Sequence, residues 1–342
     1  MKNTWSLMFL VALLSQCPQM YAQQAARSIF DELNYDDILE IELFTNFNSL
    51  DSLKKTNTYQ GATLMYLDEN GEEAKWGLKV RTRGKYRRRI CETVPLKFNF
   101  SKKELEEKGL NKDDELKFVT QCMPGYEGRG YVFREYLAYQ LYNILSPASF
   151  RSQLVRVRYN CTADGTRDRS WGIILEDEKT LARRLNADIC EGCYSTPKER
   201  FELSCVSTAS LFQYMIGNED YSIITSKNLK LLVTKEDSVY RVAPYDFDFS
   251  GLVDASYAVP NSDYQLKSVK SRVFLGISND KELQPTIQHF KDKKEEILAY
   301  IDNYTLLNKS ERKSIKKYIL SFYDSLDKGV IRPSDIKAST DR

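Results

Sequence analysis

Apolar and polar residues alternate with a period of two along much of the first half of the chain. Such alternation is typical of half-buried strands. The runs are DDILEIELFT (36–45), ATLMYLDENGEEAKWGLKVRTRG (62–84), VPLKFNF (94–100), DELKFVTQC (114–122), SQLVRVRYNC (152–161) and SWGIILED (170–177). The second run contains Asn70-Gly71, a strong hairpin signal, so it predicts two strands joined by a turn. The first half is therefore predicted to be a mostly antiparallel sheet.

The period changes to that of a helix at 132–146, VFREYLAYQLYNILS, where apolar residues recur at every third or fourth position. A second apolar helix is predicted in ERFELSCVSTASLFQYMIGN (199–218). It should end at Gly217, because glycine stops helices readily. The long first helix interrupts the strands, and the second lies in the core of the second half.

The second half alternates helices with a single pair of strands. Its predicted elements are a helix at EKTLARRLNA (178–187), strands at NLKLLVTK (228–235) and SVYRVAPYDF (238–247), and charged helices from 279 to about 328. We therefore predict an α+β fold with two lobes, a sheet-rich first lobe at 23–175 and a helical second lobe at 176–342. The boundary falls at Glu176, where a strand gives way to a helix.

Charge balance limits the classes of partner. Lys and Arg number 50 against 48 Asp and Glu, which leaves a formal net charge of +2. Nucleic-acid binding needs a strongly basic face, so no nucleic-acid partner is predicted. The run RTRGKYRRR (81–89) is nevertheless strongly basic. The single histidine, His289, excludes most multi-histidine metal sites and weakens any histidine-based hydrolase reading.

The first residues resemble an export signal. Lys2 precedes the apolar run WSLMFLVALL, and MYA before Gln23 ends in a small residue suited to cleavage, so residues 1–22 are predicted to be a signal peptide. Cys17 raises a lipoprotein alternative, which Gln16 disfavours because a small residue should precede the cysteine. No later run has the length of about 18 apolar residues that a membrane span requires, so no transmembrane segment is predicted after signal removal. The predicted location is secreted, periplasmic or at the cell envelope.

Six of the seven cysteines remain once the predicted signal is removed. An even number in an exported chain favours disulfides, although the sequence does not give the pairing. Cys190-Glu-Gly-Cys193 is open to three interpretations: a tight structural disulfide, a redox pair or half of a zinc site. Neither a second close cysteine pair nor a neighbouring histidine supports zinc.

Carboxylates and carboxamides cluster around the pair of strands in the second half. GNEDYSIITSKN (217–228) carries Asp220 and Asn228, and YDFDFSG (245–251) carries Asp246 and Asp248. An antiparallel hairpin brings the start of one strand beside the end of the other, so we expect Asn228 next to Asp246 with Asp220 on the loop above.

This residue set suits phosphoryl transfer. One carboxylate can accept the proton of an attacking hydroxyl, while an amide and a second carboxylate hold hard divalent cations through oxygen. Asp220 is the candidate base, and Asn228 and Asp246 are the candidate metal ligands. Asp248 is either a further ligand or a cap of the turn before Gly251.

These motifs resemble the CotH kinase family, the spore-coat-protein-H-like secreted atypical kinases. The resemblance covers roughly residues 78–259. It rests on VRTRGKYRRR, PLKFNF, VFREYLAYQLYNILSP, SWGIILEDEK, GNEDYSIITSKNLKLL and YRVAPYDFDFSG. It implies ATP and Mg²⁺ or Mn²⁺ as cofactors, Asp220 as the catalytic residue and Asp246 as a metal ligand, with Asn228 as the second ligand.

The resemblance also assigns residues that contact the nucleotide. Lys97 matches the phosphate-pairing lysine, Arg83 and Gly84 match a loop over the nucleotide, and Glu176 lies near the adenine. The chain departs from the family at Tyr245, where a tryptophan usually precedes the metal-binding aspartate.

The predicted function is an exported kinase that transfers the γ-phosphoryl group of ATP to hydroxyl side chains of a protein outside the cytoplasm. A catalytically silent binding or structural module of a coat or envelope is the main alternative, and AMP transfer would use the same site. A glycosidase that uses Asp220 and Asp246 as its two carboxylates is a third hypothesis. The scarcity of tryptophan, three in the chain, offers few platforms for sugar stacking and disfavours it.

Overall fold

The computed structural model describes residues 27–329 and residue 331. The predicted signal peptide and Cys17 lie outside the described residues. The strands are β1 (Leu39–Thr45), β2 (Gln60–Leu67), β3 (Glu73–Thr82), β4 (Leu96–Phe100), β5 (Glu115–Thr120), β6 (Ser152–Cys161), β7 (Arg167–Leu175), β8 (Ala187–Ile189), β9 (Leu229–Thr234) and β10 (Tyr240–Pro244).

The helices include several short ones that the sequence pattern did not predict. They are α1 (Ile29–Glu32), α2 (Phe47–Ser52), α3 (Arg87–Ile90), α4 (Lys102–Glu107), α5 (Gly125–Leu145), α6 (Glu178–Arg184), α7 (Leu203–Ile216), α8 (Asp280–Asp292), α9 (Lys294–Asn303) and α10 (Lys309–Asp327), with 3₁₀ turns at Lys198–Arg200 and Ser262–Tyr264. The α+β class is confirmed, with a sheet-rich first part and helices at the C-terminal end.

The first seven strands close into a barrel in the order β1-β2-β3-β4-β5-β7-β6. Every pairing is antiparallel except that of β1 with β6, where Leu39 lies opposite Val155. This parallel pairing closes the barrel and is not typical of a kinase lobe. The mostly antiparallel sheet was predicted, whereas its closure was not, because alternation within a strand does not show which distant strand it pairs with.

Two separate cores follow from the two faces of the barrel wall. Leu116 and Phe118 of β5 point into the barrel core, whereas Val119 belongs to the core of the second half. Helix α5 contributes to that second core together with α7 and β9. The outer face of the barrel therefore borders the second half directly, and a cleft can form where the two meet.

The charged C-terminal helices are confirmed. Each of α8 and α10 begins with a capping box, formed by Asn279 with Glu282 and by Asn308 with Glu311. These reciprocal bonds satisfy backbone donors that a helix start otherwise leaves unpaired. Ile319 and Phe322 of α10 are fully buried in the second core.

Four of the described cysteines form two disulfides, Cys91–Cys122 and Cys190–Cys193. The disulfide interpretation of Cys190 and Cys193 is therefore the one that the structure shows. Cys161 and Cys205 are buried free thiols. No helix among residues 27–329 combines the length and the apolar character needed to cross a membrane.

The Cys91–Cys122 disulfide should contribute strongly to stability. It closes a loop with a sequence separation of 31. Loop-closure entropy predicts that the double variant Cys91→Ser/Cys122→Ser lowers the free energy of unfolding by about 4 kcal/mol. Urea denaturation measures the change. The matched control, Cys190→Ser/Cys193→Ser, spans a separation of only 3 and should cost about 2 kcal/mol. Equal losses in the two variants would contradict the prediction.

Candidate active site

The loop after α7 is anchored in the protein core. Gly217 adopts φ 64°, the left-handed conformation that ends helices, and Asn218 follows it with 1% of its surface exposed. The Asn218 Nδ2 donates to Gln213 Oε1 at 2.9 Å, and its Oδ1 accepts from the Asp220 backbone N–H at 3.1 Å. A buried amide thus fixes the backbone that carries Asp220.

Asp220 and Asn228 are in direct contact. The Asn228 Nδ2 donates to Asp220 Oδ2 at 2.9 Å and to the Asp220 backbone oxygen at 2.7 Å. Lys227 forms an ion pair with the other carboxylate oxygen. Asn228 has φ 52°, a left-handed conformation that asparagine tolerates better than most residues. The loop therefore holds the Asp220 carboxylate in a set orientation.

Asp246 lies at the same edge of the small sheet. Leu229 pairs with Pro244 in register, and the Tyr245 backbone N–H donates to the backbone oxygen of Asn228 at 3.1 Å. Asn228 is therefore opposite Tyr245, one position before Asp246, the residue that the sequence predicts as its neighbour. The Asp246 backbone N–H donates to the Tyr139 hydroxyl of α5 at 2.9 Å. This bond fixes Asp246, at φ 66°, against the long helix.

The oxygen donors here fit a hard divalent cation that also binds phosphate. Both described hydrogen bonds of the Asn228 side chain use Nδ2, which leaves Oδ1 available as a ligand. The structure gives the Asp246 carboxylate no ion pair within the described ranges. Mg²⁺ is usually held by one or two carboxylates together with substrate phosphates. Asp246 supplies one carboxylate, and Asn228 Oδ1 adds a neutral oxygen. Among the described residues, no group of three or more His, Cys, Asp or Glu is arranged to hold a metal by itself.

Asp248 is committed to a buried ion-pair cluster. Arg87 Nε donates to Asp248 Oδ2 at 2.8 Å, and Arg87 Nη2 donates to Glu135 Oε2 at 2.9 Å. All three side chains are less than a tenth exposed. Burial, together with the charges of Asp246 and Glu135, raises the pKa of Asp248 to about 7, and Arg87 opposes this rise. Asp248 Oδ2 is thus engaged by Arg87, and the choice between a metal ligand and a turn cap stays a prediction.

The two lysines of the β4–β5 pair have different surroundings. Lys97 and Lys117 are directly opposite in register. The predicted phosphate contact, Lys97, is 2.5 Å from Glu115 Oε2 in an ion pair. Lys117 instead places its Nζ 4.2 Å from the centre of the Tyr245 ring, beside Asp246. Lys117 is therefore the lysine of this pair that contacts Tyr245, the residue before Asp246.

The Lys117 ammonium is a buried donor with no hydrogen-bond acceptor in the described part of the chain. Its side chain is 17% exposed, and the carboxylate of Glu178 is 3.7 Å away. Burial lowers the pKa of Lys117 to about 8, opposed by Glu178 and reinforced by Arg83 and Lys230. Lys117 was not among the residues predicted from the sequence, because the resemblance assigns the phosphate contact to Lys97 on the adjacent strand.

The remaining nucleotide contacts predicted from the sequence divide into two groups. Arg83 and Gly84 follow β3, Gly84 has φ 80°, and the positive charge of Arg83 helps to lower the pKa of Lys117. They therefore border the site. Glu176 is fully buried in ion pairs with Arg151 at 2.8 Å and Arg184 at 3.0 Å. Its carboxylate is occupied by these two arginines, and its predicted place near an adenine stays a prediction.

Comparison with known proteins adds little. Neither the protein-family models nor the curated proteins contain a match to this chain. Among solved structures, the crystal structure of a Helicobacter pylori proinflammatory kinase, CtkA, matches with a TM-score of 0.38 and 14% identity. The match covers 63% of this chain and 86% of that one. It is a weak structural neighbour that is a kinase, and the CotH resemblance rests on the motifs alone.

Proposed function

We propose that this chain is a metal-dependent kinase that transfers the γ-phosphoryl group of ATP to a hydroxyl side chain of a protein outside the cytoplasm. The observation that carries the proposal is the contact of Asp220 with Asn228 beside Asp246, with Lys117 reaching the same edge from the barrel. The CotH resemblance of the surrounding motifs agrees with it.

Each residue has a defined part in the reaction. Asp220 accepts the proton of the acceptor hydroxyl as its oxygen bonds to the γ-phosphorus and the bond to the leaving ADP breaks. Asn228 Nδ2 fixes the Asp220 carboxylate for this step. Asn228 Oδ1 and Asp246 would hold the divalent cation. When bound, that cation neutralises charge on the phosphates.

Lys117 and Arg83 bind the phosphates in this proposal. The Lys117 ammonium lacks an acceptor among the described residues, and a phosphate oxygen would supply one. Lys97 is instead paired with Glu115, so it is the weaker candidate. A silent binding module would have no use for a proton acceptor held by Asn228. AMP transfer needs the same metal and triphosphate contacts, and only the product separates it from phosphoryl transfer.

Nucleotide affinity should depend on the charge of Lys117. With its pKa lowered to about 8, Lys117 is protonated below that pH and loses its charge as the pH rises through it. The Kd for MgATP should therefore rise above pH 8, by at most about tenfold per pH unit for one proton. Isothermal titration calorimetry between neutral pH and mildly alkaline pH measures this.

Two variants separate the lysines. Lys117→Arg keeps its positive charge at all these pH values, so it should abolish the pH dependence. Lys97→Met should preserve the dependence, because Lys97 does not reach Tyr245. If Lys97→Met abolished the pH dependence and Lys117→Arg did not, Lys97 would be the phosphate contact and the structural assignment would be wrong.

Metal-dependent nucleotide binding is the first test of the proposed site. We expect the wild-type chain to bind ATP in the presence of Mg²⁺ or Mn²⁺, and Asp246→Asn to lose the contribution of the metal. Glu236→Gln, in the distant turn of the β9–β10 hairpin, is the matched charge control and should bind as the wild type does. Equal ATP binding with and without metal would exclude the proposed role of Asp246.

A further inference from the structure

A strongly basic groove of about 780 Å³ adjoins the site. Lys54 and Lys55, which follow α2, form one side, and Arg81 of β3 lies between them and the segment 83–89. That segment adds Arg83, Lys85, Arg88 and Arg89, so seven of the nine lining residues are cations. The lining contains no carboxylate.

Six of the seven cations of this groove have no ion pair in the described part of the chain. Lys54 alone has an ion pair, with the exposed Asp51 at 2.9 Å. Elsewhere lysines and arginines are paired widely with carboxylates, as the ion pairs of Lys97, Lys230 and Arg241 illustrate. The groove therefore brings together seven cations with one ion pair among them, in a chain whose formal net charge is only +2. An anionic ligand would relieve the repulsion between these groups.

Two arginines are held close together in spite of their like charges. Arg81 and Arg88 both donate to Asn57 Oδ1, at 3.4 and 3.0 Å, and both donate to the Thr82 backbone oxygen, at 3.1 and 2.5 Å. The Nε of Arg88 is a buried donor without a described acceptor. Burial and the charges of Arg81 and Arg83 lower the pKa of Arg88. A bound anion would offset the repulsion between the two charges.

The groove is next to the buried ion-pair cluster of Arg87, Glu135 and Asp248. Arg87 of α3 is buried against Glu135 and Asp248, whereas its neighbours Arg88 and Arg89 line the groove. The Cys91–Cys122 disulfide fixes the residue after α3. A ligand held in the groove would therefore have a set position relative to Asp246, which is two residues before the Arg87 partner Asp248.

An extended acidic chain fits the groove better than a nucleotide. Arg83 and Gly84 border both the groove and the proposed phosphate site, whereas Lys117, Asp220 and Asp246 do not line the groove. Six of the seven cations of the groove therefore lie outside the proposed phosphate contacts. The side chains of Lys55, Lys85 and Arg89 are exposed, so they suit a ligand that stays solvated. These three cations extend from the loop after α2 to α3. Successive carboxylates of an extended acidic chain could therefore each meet a different cation.

We propose that this groove docks an Asp- and Glu-rich segment of the acceptor protein. This inference rests on the proposed kinase function, because it takes the docked protein to be the substrate of the kinase. Docking itself requires no catalysis. The chain would then select acceptors whose hydroxyl lies near an acidic stretch in the sequence.

Fluorescence anisotropy with a labelled peptide of glutamate and serine tests the docking on the full mature chain. Reversing two exposed charges in Lys55→Glu/Arg89→Glu should raise the Kd by about tenfold or more. The neutral pair Lys55→Gln/Arg89→Gln should give an intermediate value. Lys313→Glu/Lys317→Glu, which makes the same change in net charge on exposed positions of α10, should stay within about twofold of wild type.

Two further measurements complete the test. Asp220→Asn should bind the peptide as wild type does, so loss of catalysis leaves docking measurable and the two proposals fail separately. Saturating MgATP should not displace the peptide. Displacement by MgATP would assign the groove to the nucleotide and overturn the inference. Absence of peptide binding, with tight binding of inorganic polyphosphate or a sulfated polysaccharide instead, would overturn it too.

Discussion

Replacing Asp220 by asparagine should reduce phosphoryl transfer by about a thousandfold, while folding and MgATP affinity stay near those of wild type. A positioned general base commonly contributes a factor of this size. Asparagine has almost the same shape and can still accept the hydrogen bond from Asn228 Nδ2. It cannot take a proton from the acceptor hydroxyl. Initial rates with labelled ATP, with thermal melting as the folding check, measure the effect.

The neighbouring lysine provides the control for this variant. Lys227→Met removes the ion pair to Asp220 but leaves the carboxylate in place. The Lys227 side chain is 56% exposed, so the pair should contribute less than about 1 kcal/mol to stability. We expect Lys227→Met to retain most of the activity. Wild-type rates in Asp220→Asn would show that another group accepts the proton.

Replacing Arg87 by methionine should lower the free energy of unfolding by about 3–5 kcal/mol. Arg87 is the described partner of two buried carboxylates, Glu135 and Asp248. Its removal leaves both acids in a dry environment without a cation, and such unpaired burial is among the most damaging single changes. Chemical denaturation of the purified variant gives the value.

A compensating variant shows whether charge is the cause. In Arg87→Met/Glu135→Gln/Asp248→Asn, the two carboxylates are also neutral, so a large part of the lost stability should return. If the triple variant is no more stable than the single one, packing of the Arg87 side chain is the cause instead. If Arg87→Met unfolds at the same denaturant concentration as wild type, the buried cluster does not stabilise the protein.

Much of the secondary structure could be predicted because it depends on local patterns. Alternation placed β1 to β7, and the helical period placed α5 and α7. Gly217 marked the end of α7 because its left-handed φ is a local property of the backbone. The closure of the barrel depends on β1 pairing with β6, and neither strand carries a local signal for that partner.

The candidate site also has a part that local sequence signals could predict and a part that they could not. Asp220, Asn228 and Asp246 could be placed together because one hairpin connects them and an antiparallel register follows from its turn. The choice between Lys97 and Lys117 could not be made from the sequence, because both alternate with apolar residues on adjacent strands. Only the packing of β5 against Tyr245 separates them.

The basic run illustrates a further limit. Four of the five residues at 85–89 are lysine or arginine, so composition predicts a solvated loop. In the structure α3 turns Arg87 inward to Glu135 and Asp248, and leaves Arg88 and Arg89 at the groove. The sequence contains no signal for this split, because its cause is a pair of acids far away along the chain.

Mass spectrometry of the reaction product tests the central claim most directly. The purified mature chain would be incubated with ATP and Mg²⁺ or Mn²⁺, together with envelope proteins as acceptors, and Asp220→Asn would be treated in parallel. We predict a mass increase of one phosphate on a serine, threonine or tyrosine, absent from the Asp220→Asn reaction. An increase of one adenylate, or no modification that distinguishes wild type from Asp220→Asn, would contradict the account.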